Sequence, residues 1–97
     1  MNIQILGLAE RDLQDGFLFY EKLDSGLGDY FLDSLYSEID SLLLYAGIHR
    51  EVLSYHRQLC KRFPYAIYYS VNAEMISIWR VLDLRRDPSW ITSQLEK

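Results

Sequence analysis

The apolar side chains of this chain change their spacing once. Up to residue 46 they recur every three or four positions, and from residue 54 onward they alternate. These are the periods of a helix face and of a strand face, so the chain commits to helices first and to a sheet afterwards. Residues 2–6 are the exception, a short alternating stretch with Ile3 and Ile5 on one side that reads as a strand. From 8 to 23, Ala9, Leu13, Phe17 and Tyr20 form a helical stripe opposed by Glu10, Arg11, Gln14 and Asp15. Gly16 lies inside that helix at a cost of about 1 kcal/mol in propensity, so tertiary packing must hold it. Asp24-Ser25-Gly26-Leu27-Gly28 is a turn, with glycine for a left-handed backbone and Gly28 or Asp29 expected to cap the next helix. That helix is expected over 29–46, with Leu32, Leu35, Ile39, Leu42, Leu43 and Ala46 as its buried stripe and Gly47 beyond its end. The short connection predicts an antiparallel helical hairpin.

Residues 54–60 then read as a strand, and 64–71 as a second that starts at Pro64, where a missing N–H is tolerated. Asn72-Ala73-Glu74 has hairpin chemistry, and 75–84 are rich in strand formers. Arg85-Arg86-Asp87-Pro88 ends the third strand, and 89–96 suit a short C-terminal helix. The expectation is one α+β domain over 1–97 of order β-α-α-β-β-β, its helical hairpin packed on a small, mostly antiparallel sheet.

Composition sets outer limits. No apolar run nears the ~18 residues of a membrane-spanning helix. The first residues lack the basic, then apolar, pattern of a secretory leader, and the single cysteine, Cys60, excludes an internal disulfide. A cytoplasmic protein without membrane association is expected. The net charge of −4 hides an asymmetry. Residues 1–48 carry two bases against nine acids, and residues 49–97 carry eight bases against five acids. Arg57, Lys61, Arg62, Arg80, Arg85 and Arg86 would form a cationic cluster if the strands bring them together, suited to a phosphate backbone or an acidic protein partner. The bland alternative is solvated or internally paired arginines, with Asp83 and Asp87 as partners.

Other chemistry is sparse. There is no phosphate-binding glycine loop, no CxxC and no HExxH, and the spacing of His49 and His56 suggests no metal site. Arg57, Lys61 and Arg62 flank Cys60 and would lower its thiol pKa, but no base and orienting group accompany it. Tyr65, Tyr68 and Tyr69 are read as core residues of a strand rather than as a stacking platform.

Two blocks carry a family resemblance. The run Arg57-Gln-Leu-Cys-Lys-Arg-Phe-Pro-Tyr-Ala-Ile-Tyr-Tyr69, followed by Ile76-Ser-Ile-Trp-Arg-Val-Leu-Asp-Leu-Arg-Arg-Asp-Pro88, resembles the C-terminal half of RelE/ParE superfamily toxins. Ala9-Glu10-Arg11-Asp12-Leu13 and Gly26-Leu27-Gly28-Asp29-Tyr30-Phe31-Leu32 are similar to that family's helical hairpin, so the likeness runs from about 3 to 90. It implies the toxin of a bacterial type II toxin–antitoxin pair, bound and neutralised by a cognate antitoxin, with no cofactor and no metal. The style of the blocks leans to the ParE-like, plasmid-stabilisation side, whose members inhibit DNA gyrase. RelE-like members instead cut mRNA on the ribosome.

The sequence departs from the nuclease pattern. Asp83 stands where the family block has histidine, and Trp90 lies near the place of a C-terminal His or Tyr. Metal-free RNA cleavage needs proton-exchanging groups as well as cations on the phosphate. If the chain is a nuclease, Arg57, Arg80, Asp83 and Arg85 are its catalytic candidates, with His56 or a tyrosine left to move protons. Arg57, Lys61, Arg62, Arg80, Arg85 and Arg86 are the candidates for contacting target or antitoxin. Three readings follow: a protein inhibitor aimed at gyrase or a similar target, a ribosome-dependent mRNA endonuclease, or a non-toxic binding member. Whether the chain is an enzyme, and whether it forms a homodimer, stays open.

Overall fold

Ile3 and Ile5 alternate with Asn2 and Gln4 to make the first element a strand, β1 (Asn2–Ile5), in a computed structural model that describes residues 1–96. Two helices follow, α1 (Gly7–Leu23) and α2 (Leu27–Asp40), and then a single turn, α3 (Leu42–Tyr45). The strands β2 (Glu51–Val52), β3 (Tyr55–Leu59), β4 (Tyr65–Asn72) and β5 (Met75–Asp83) come next, and α4 (Pro88–Leu95) follows them. Across the sheet the order is β1-β5-β4-β3-β2, with β1 parallel to β5 and every other pair antiparallel. The α+β architecture expected from the periodicity is present, with β2 and α3 added to it.

The hairpin closes glycine against ring. A Cβ on Gly16 would lie 2.5 Å from Cζ of Phe31, and one on Gly28 would lie 2.8 Å from both the Phe17 ring and the Phe17 carbonyl oxygen. Each helix therefore offers a glycine to the other's phenylalanine, which explains why Gly16 is kept despite its propensity cost. Phe31, absent from the expected stripe, is fully buried and meets Phe63 at 5.1 Å and Tyr65 at 4.9 Å between ring centroids. The Phe63-Pro64-Tyr65 block is thus the aromatic floor on which the hairpin sits.

Three local expectations need correction. α2 starts at Leu27, and neither Gly28 nor Asp29 caps it. The Glu21 carboxylate reaches over from α1 and accepts the Gly26 and Gly28 N–H groups at 3.1 and 3.0 Å. The helix expected to reach 46 breaks at Ser41, whose hydroxyl donates to the Glu38 carbonyl and competes with the ladder. Leu43, counted in the buried stripe, is consequently exposed. Finally, β2 and β3 form a hairpin through Leu53 and Ser54, both with positive φ (52° and 76°). Glycine and asparagine favour such a turn, and neither is there to announce it.

The sheet is buried on both faces. Ile67, Tyr69, Ile76, Ile78 and Val81 face the hairpin, while Tyr55, Ala66, Tyr68 and Leu82 face α4 with Leu95. The three tyrosines of β4 are core residues, as their strand propensity implies. The step from Ile78 to Val81 breaks strict alternation because Tyr68 pairs with Arg80 and Tyr69 with Ile78, leaving Trp79 as a bulge.

Candidate functional site

β1 pairs with β5 only as far as Ile78, so the second half of β5 has no strand on that side. Asp12 of α1 takes that place. Its Oδ2 accepts the Val81 N–H at 2.9 Å and Arg80 Nε at 2.7 Å, and its Oδ1 accepts Arg80 Nη2 at 2.9 Å. Arg80 Nη1 reaches on to the Gln94 side-chain oxygen at 2.9 Å. One arginine thereby ties α1, β5 and α4 together, its side chain 14% exposed against 13% for Asp12.

The basic run after β5 divides its labour. Arg85 pairs with Asp83 at 2.7 Å and lies over the rings of Phe19 and Tyr20. Burial works to raise the Asp83 pKa, but hydrogen bonds from the Arg85 side chain and backbone outweigh it and hold the carboxyl below its usual range. Arg86 stacks on Trp90 at 3.8 Å from the ring centroid. Asp87 accepts the Ser89 N–H at 3.0 Å, and Pro88 occupies the first turn of α4. Asp87 is therefore a helix cap, not an arginine's partner.

Arg57 of β3 and Arg80 of β5 flank Tyr68 of β4 on one face of the sheet, yet the cations line two separate grooves. Arg57, Lys61 and Arg62 line a groove of 760 Å³ between the α2–α3 segment and β3, together with Glu38, His49 and Gln58. Arg80 and Arg86 line a second groove of 520 Å³ with Asp12, Asp83 and Trp90. Among the described residues, none of Arg57, Lys61 and Arg62 enters an ion pair. Lys61 nevertheless contributes through its backbone, whose N–H donates to Glu38 Oε2 at 2.7 Å.

A small proton-sensitive network ties down one wall of the first groove. Gly47 donates its N–H to the Tyr69 hydroxyl at 3.0 Å, so that hydroxyl has its own proton to give to His49 Nδ1, 2.5 Å away. His56 stacks on Tyr69 and donates from Nδ1 to the His49 carbonyl at 2.8 Å. Burial, then the neighbouring His56, lowers the His49 pKa, with Glu38 opposing them. The stability that this network contributes is complete above about pH 6.5 and declines as the pH falls from there through the folded-state value, since the unfolded chain takes up a proton the native chain resists. Urea titrations between about pH 5 and 8 should show that decline, and Tyr69→Phe should flatten it. An unchanged slope in the variant would remove the network as its cause.

The one cysteine and four of the tyrosines are held in their neutral forms. Burial, with Glu38 adding to it, pushes the Cys60 thiol up to about 12, the reverse of the activation its basic neighbours suggested. Burial likewise raises Tyr20, Tyr65, Tyr68 and Tyr69, with Arg57 opposing it at Tyr68. His49 and His56 are brought together, but among the described residues no group of three His, Cys, Asp or Glu side chains is placed to hold a metal ion. Among the same residues no helix is long and apolar enough to cross a membrane.

Neither a protein-family model nor a curated protein sequence matches this chain. A solved structure does: a chain of the chromosomal ParDE TA system from P. aeruginosa superposes with a TM-score of 0.79. The match spans 87% of this chain and 96% of that one at 18% sequence identity. The two chains share a fold. Within this fold, sequence reasoning placed the cations but missed Asp12, which holds Arg80, and Glu38, which accepts the Lys61 N–H. Asp12 and Arg80 lie 68 residues apart, and no local pattern links such a pair.

Proposed function

We propose that the chain is a ParE-like toxin of a type II toxin–antitoxin module that acts by docking on a protein target. The sequence resemblance implies DNA gyrase as that target. The observation that carries the reading is the shared ParDE-system fold, which spans nearly the whole of both chains. The sequence blocks around Phe63-Pro64-Tyr65 and Arg85-Arg86-Asp87-Pro88 point to the same family by an independent route.

The disposition of charge supports a protein target over phosphodiester cleavage. Arg80 and Arg85 each already neutralise a carboxylate, and the buried tyrosines keep their protons. Cleavage would need those cations on a phosphate and a group that exchanges protons near neutral pH. Arg57, Lys61, Arg62 and Arg86 present charge to the target or the antitoxin, while Arg80 and Arg85 shape the surface that carries them.

Inducible expression is expected to arrest growth, and purified protein at micromolar concentration should block gyrase supercoiling while mRNA in a translating extract stays intact. Uninhibited supercoiling with cut mRNA would replace this reading by the endonuclease one. Absence of growth arrest in a host with the correct target would leave a binding or regulatory protein. Co-expressing the product of a small adjoining reading frame should restore growth. That product should also stabilise the toxin by about 2.7 kcal/mol when its free concentration is roughly 100 times Kd.

A further inference from the structure

The chain between α3 and β3 is a strap held at few points. From Gly47 to Ser54 only His49 and Val52 are half-buried, and the rest are exposed. Both ends turn through left-handed backbone, Gly47 at φ 93° and Leu53 and Ser54 at 52° and 76°. Leucine rarely adopts that conformation, so the far end of the strap is under tension. β2 contributes two residue pairs, Glu51 with His56 and Val52 with Tyr55, and the Arg57 N–H adds a bond to the Arg50 carbonyl at 2.8 Å.

The near end is pinned by one hydroxyl. Tyr69 is fully buried, and its Oη accepts the Gly47 N–H at 3.0 Å and meets His49 Nδ1 at 2.5 Å. With the Gly47 N–H on the oxygen, the phenolic hydrogen goes to His49 Nδ1, which must be an unprotonated acceptor. A proton on Nδ1 would set N–H against O–H. Water cannot reach the buried hydroxyl to take its displaced hydrogen, so one donor is stranded unless the strap moves away. His56 is not equivalent. Its Nδ1 donates to the His49 carbonyl at 2.8 Å, and that bond survives a proton on the other ring nitrogen.

The charges around His49 come from every neighbouring element. Glu38 of α2 and Glu51 of β2 favour its charged form. Arg50 before β2, His56 and Arg57 on β3, and Lys61 and Arg62 beyond it oppose that form, while Tyr45 of α3 borders the same groove. Bases outnumber acids, and among the described residues no carboxylate bonds to the His49 ring.

We propose that residues 47–52 form a pH-operated strap, latched to Tyr69 while His49 is neutral and released when His49 takes up a proton. Release detaches β2 and bares the outer edge of β3 at His56 and Arg57. The remainder of the domain stays folded, because Tyr69 itself is held by β4 and by the hairpin packed on it. The loss of stability at low pH therefore begins as a local opening. This strap stands with or without the toxin reading.

Amide hydrogen exchange of the full chain, followed by NMR between about pH 5.5 and 7.5 with and without sub-denaturing urea, tests the latch. After correction for intrinsic rates, protection of the Gly47 and Arg57 amides should fall about fivefold towards the acid end. That protection should be insensitive to low urea, whereas the Leu13 and Ile67 amides should respond to it as parts of the global unit. The midpoint should follow the titration of the His49 ring. His49→Gln, whose side-chain oxygen can still accept from Tyr69 but does not titrate, should abolish the fall. Equal urea dependence of strap and core amides would overturn the proposal, because opening would then be global unfolding. A fall that persists in His49→Gln, or that follows the His56 ring instead, would overturn it as well. Should His49→Gln fail to fold, the comparison of strap and core amides in the unaltered chain decides alone.

Discussion

Replacing Asp12 with alanine should lower the stability of this fold by about 3 kcal/mol, the usual scale for stripping one partner from a buried ion pair. For a domain of this size that is a fall in Tm of roughly 12–24 °C. Three donors lose their acceptor at once: two guanidinium nitrogens of Arg80 and the Val81 N–H. The Val81 amide has no other recourse, since β1 pairs no further than Ile78. Arg80→Met alone should cost less, because Asp12 keeps the Val81 amide. In the double variant the loss should fall short of the sum, because the arginine left stranded by Asp12→Ala is gone. Additive losses would show that Asp12 and Arg80 do not act as a pair. A loss below about 1 kcal/mol for Asp12→Ala would return Arg80 to the pool of cations available to a ligand.

Gly28→Ala is the second large effect, and it runs against helix propensity. Alanine in a helix gains about 1 kcal/mol over glycine. Here the added Cβ would stand 2.8 Å from the Phe17 carbonyl oxygen, a backbone atom that moves only with its helix. Overpacking of this kind costs about 1–3 kcal/mol, so the net outcome is a loss. Gly16→Ala meets the rim of the Phe31 ring instead, at 2.5 Å. That ring is buried and wedged against Tyr20, Phe63 and Tyr65, which leaves it little room to yield. Both substitutions should lower the urea midpoint, and Gly28→Ala should do so more. A rise in the midpoint for either would mean that the helices can part without penalty.

What could be read in advance follows from the range of the interaction concerned. Ala9, Leu13 and Tyr20 announced the buried face of α1 because helix periodicity is local. The hairpin-facing side of β4 announced itself in the same way. Phe31 lies outside the expected stripe because Leu32 fits it from the neighbouring position, and the glycine on α1 that makes room for the Phe31 ring leaves Leu32 only partly buried beside it. The bulge at Trp79 leaves no mark in β5, whose composition suits a strand in either register. The cations were visible, but their grouping was not. Whether Arg57 lies beside Lys61 or beside Arg80 depends on strand order, and whether Arg80 is spent depends on an acid on the first helix. The resemblance to a toxin family supplied an expectation about partners that periodicity could not.

The place of β1 has a consequence for the timing of synthesis. It is made before both hairpin helices and three of the strands, and its neighbour in the sheet, β5, only after them. Gln4 and Ser77, joined by a side-chain hydrogen bond, are 73 residues apart. At roughly 5–20 residues per second, several seconds separate their translation. Throughout that interval Ile3 and Ile5 have no strand to join, and β4 lacks its longer neighbour. A chain stalled before residue 75 has the residues of its helical hairpin but cannot close the sheet beneath it, so the working surface arises only once β5 has been made.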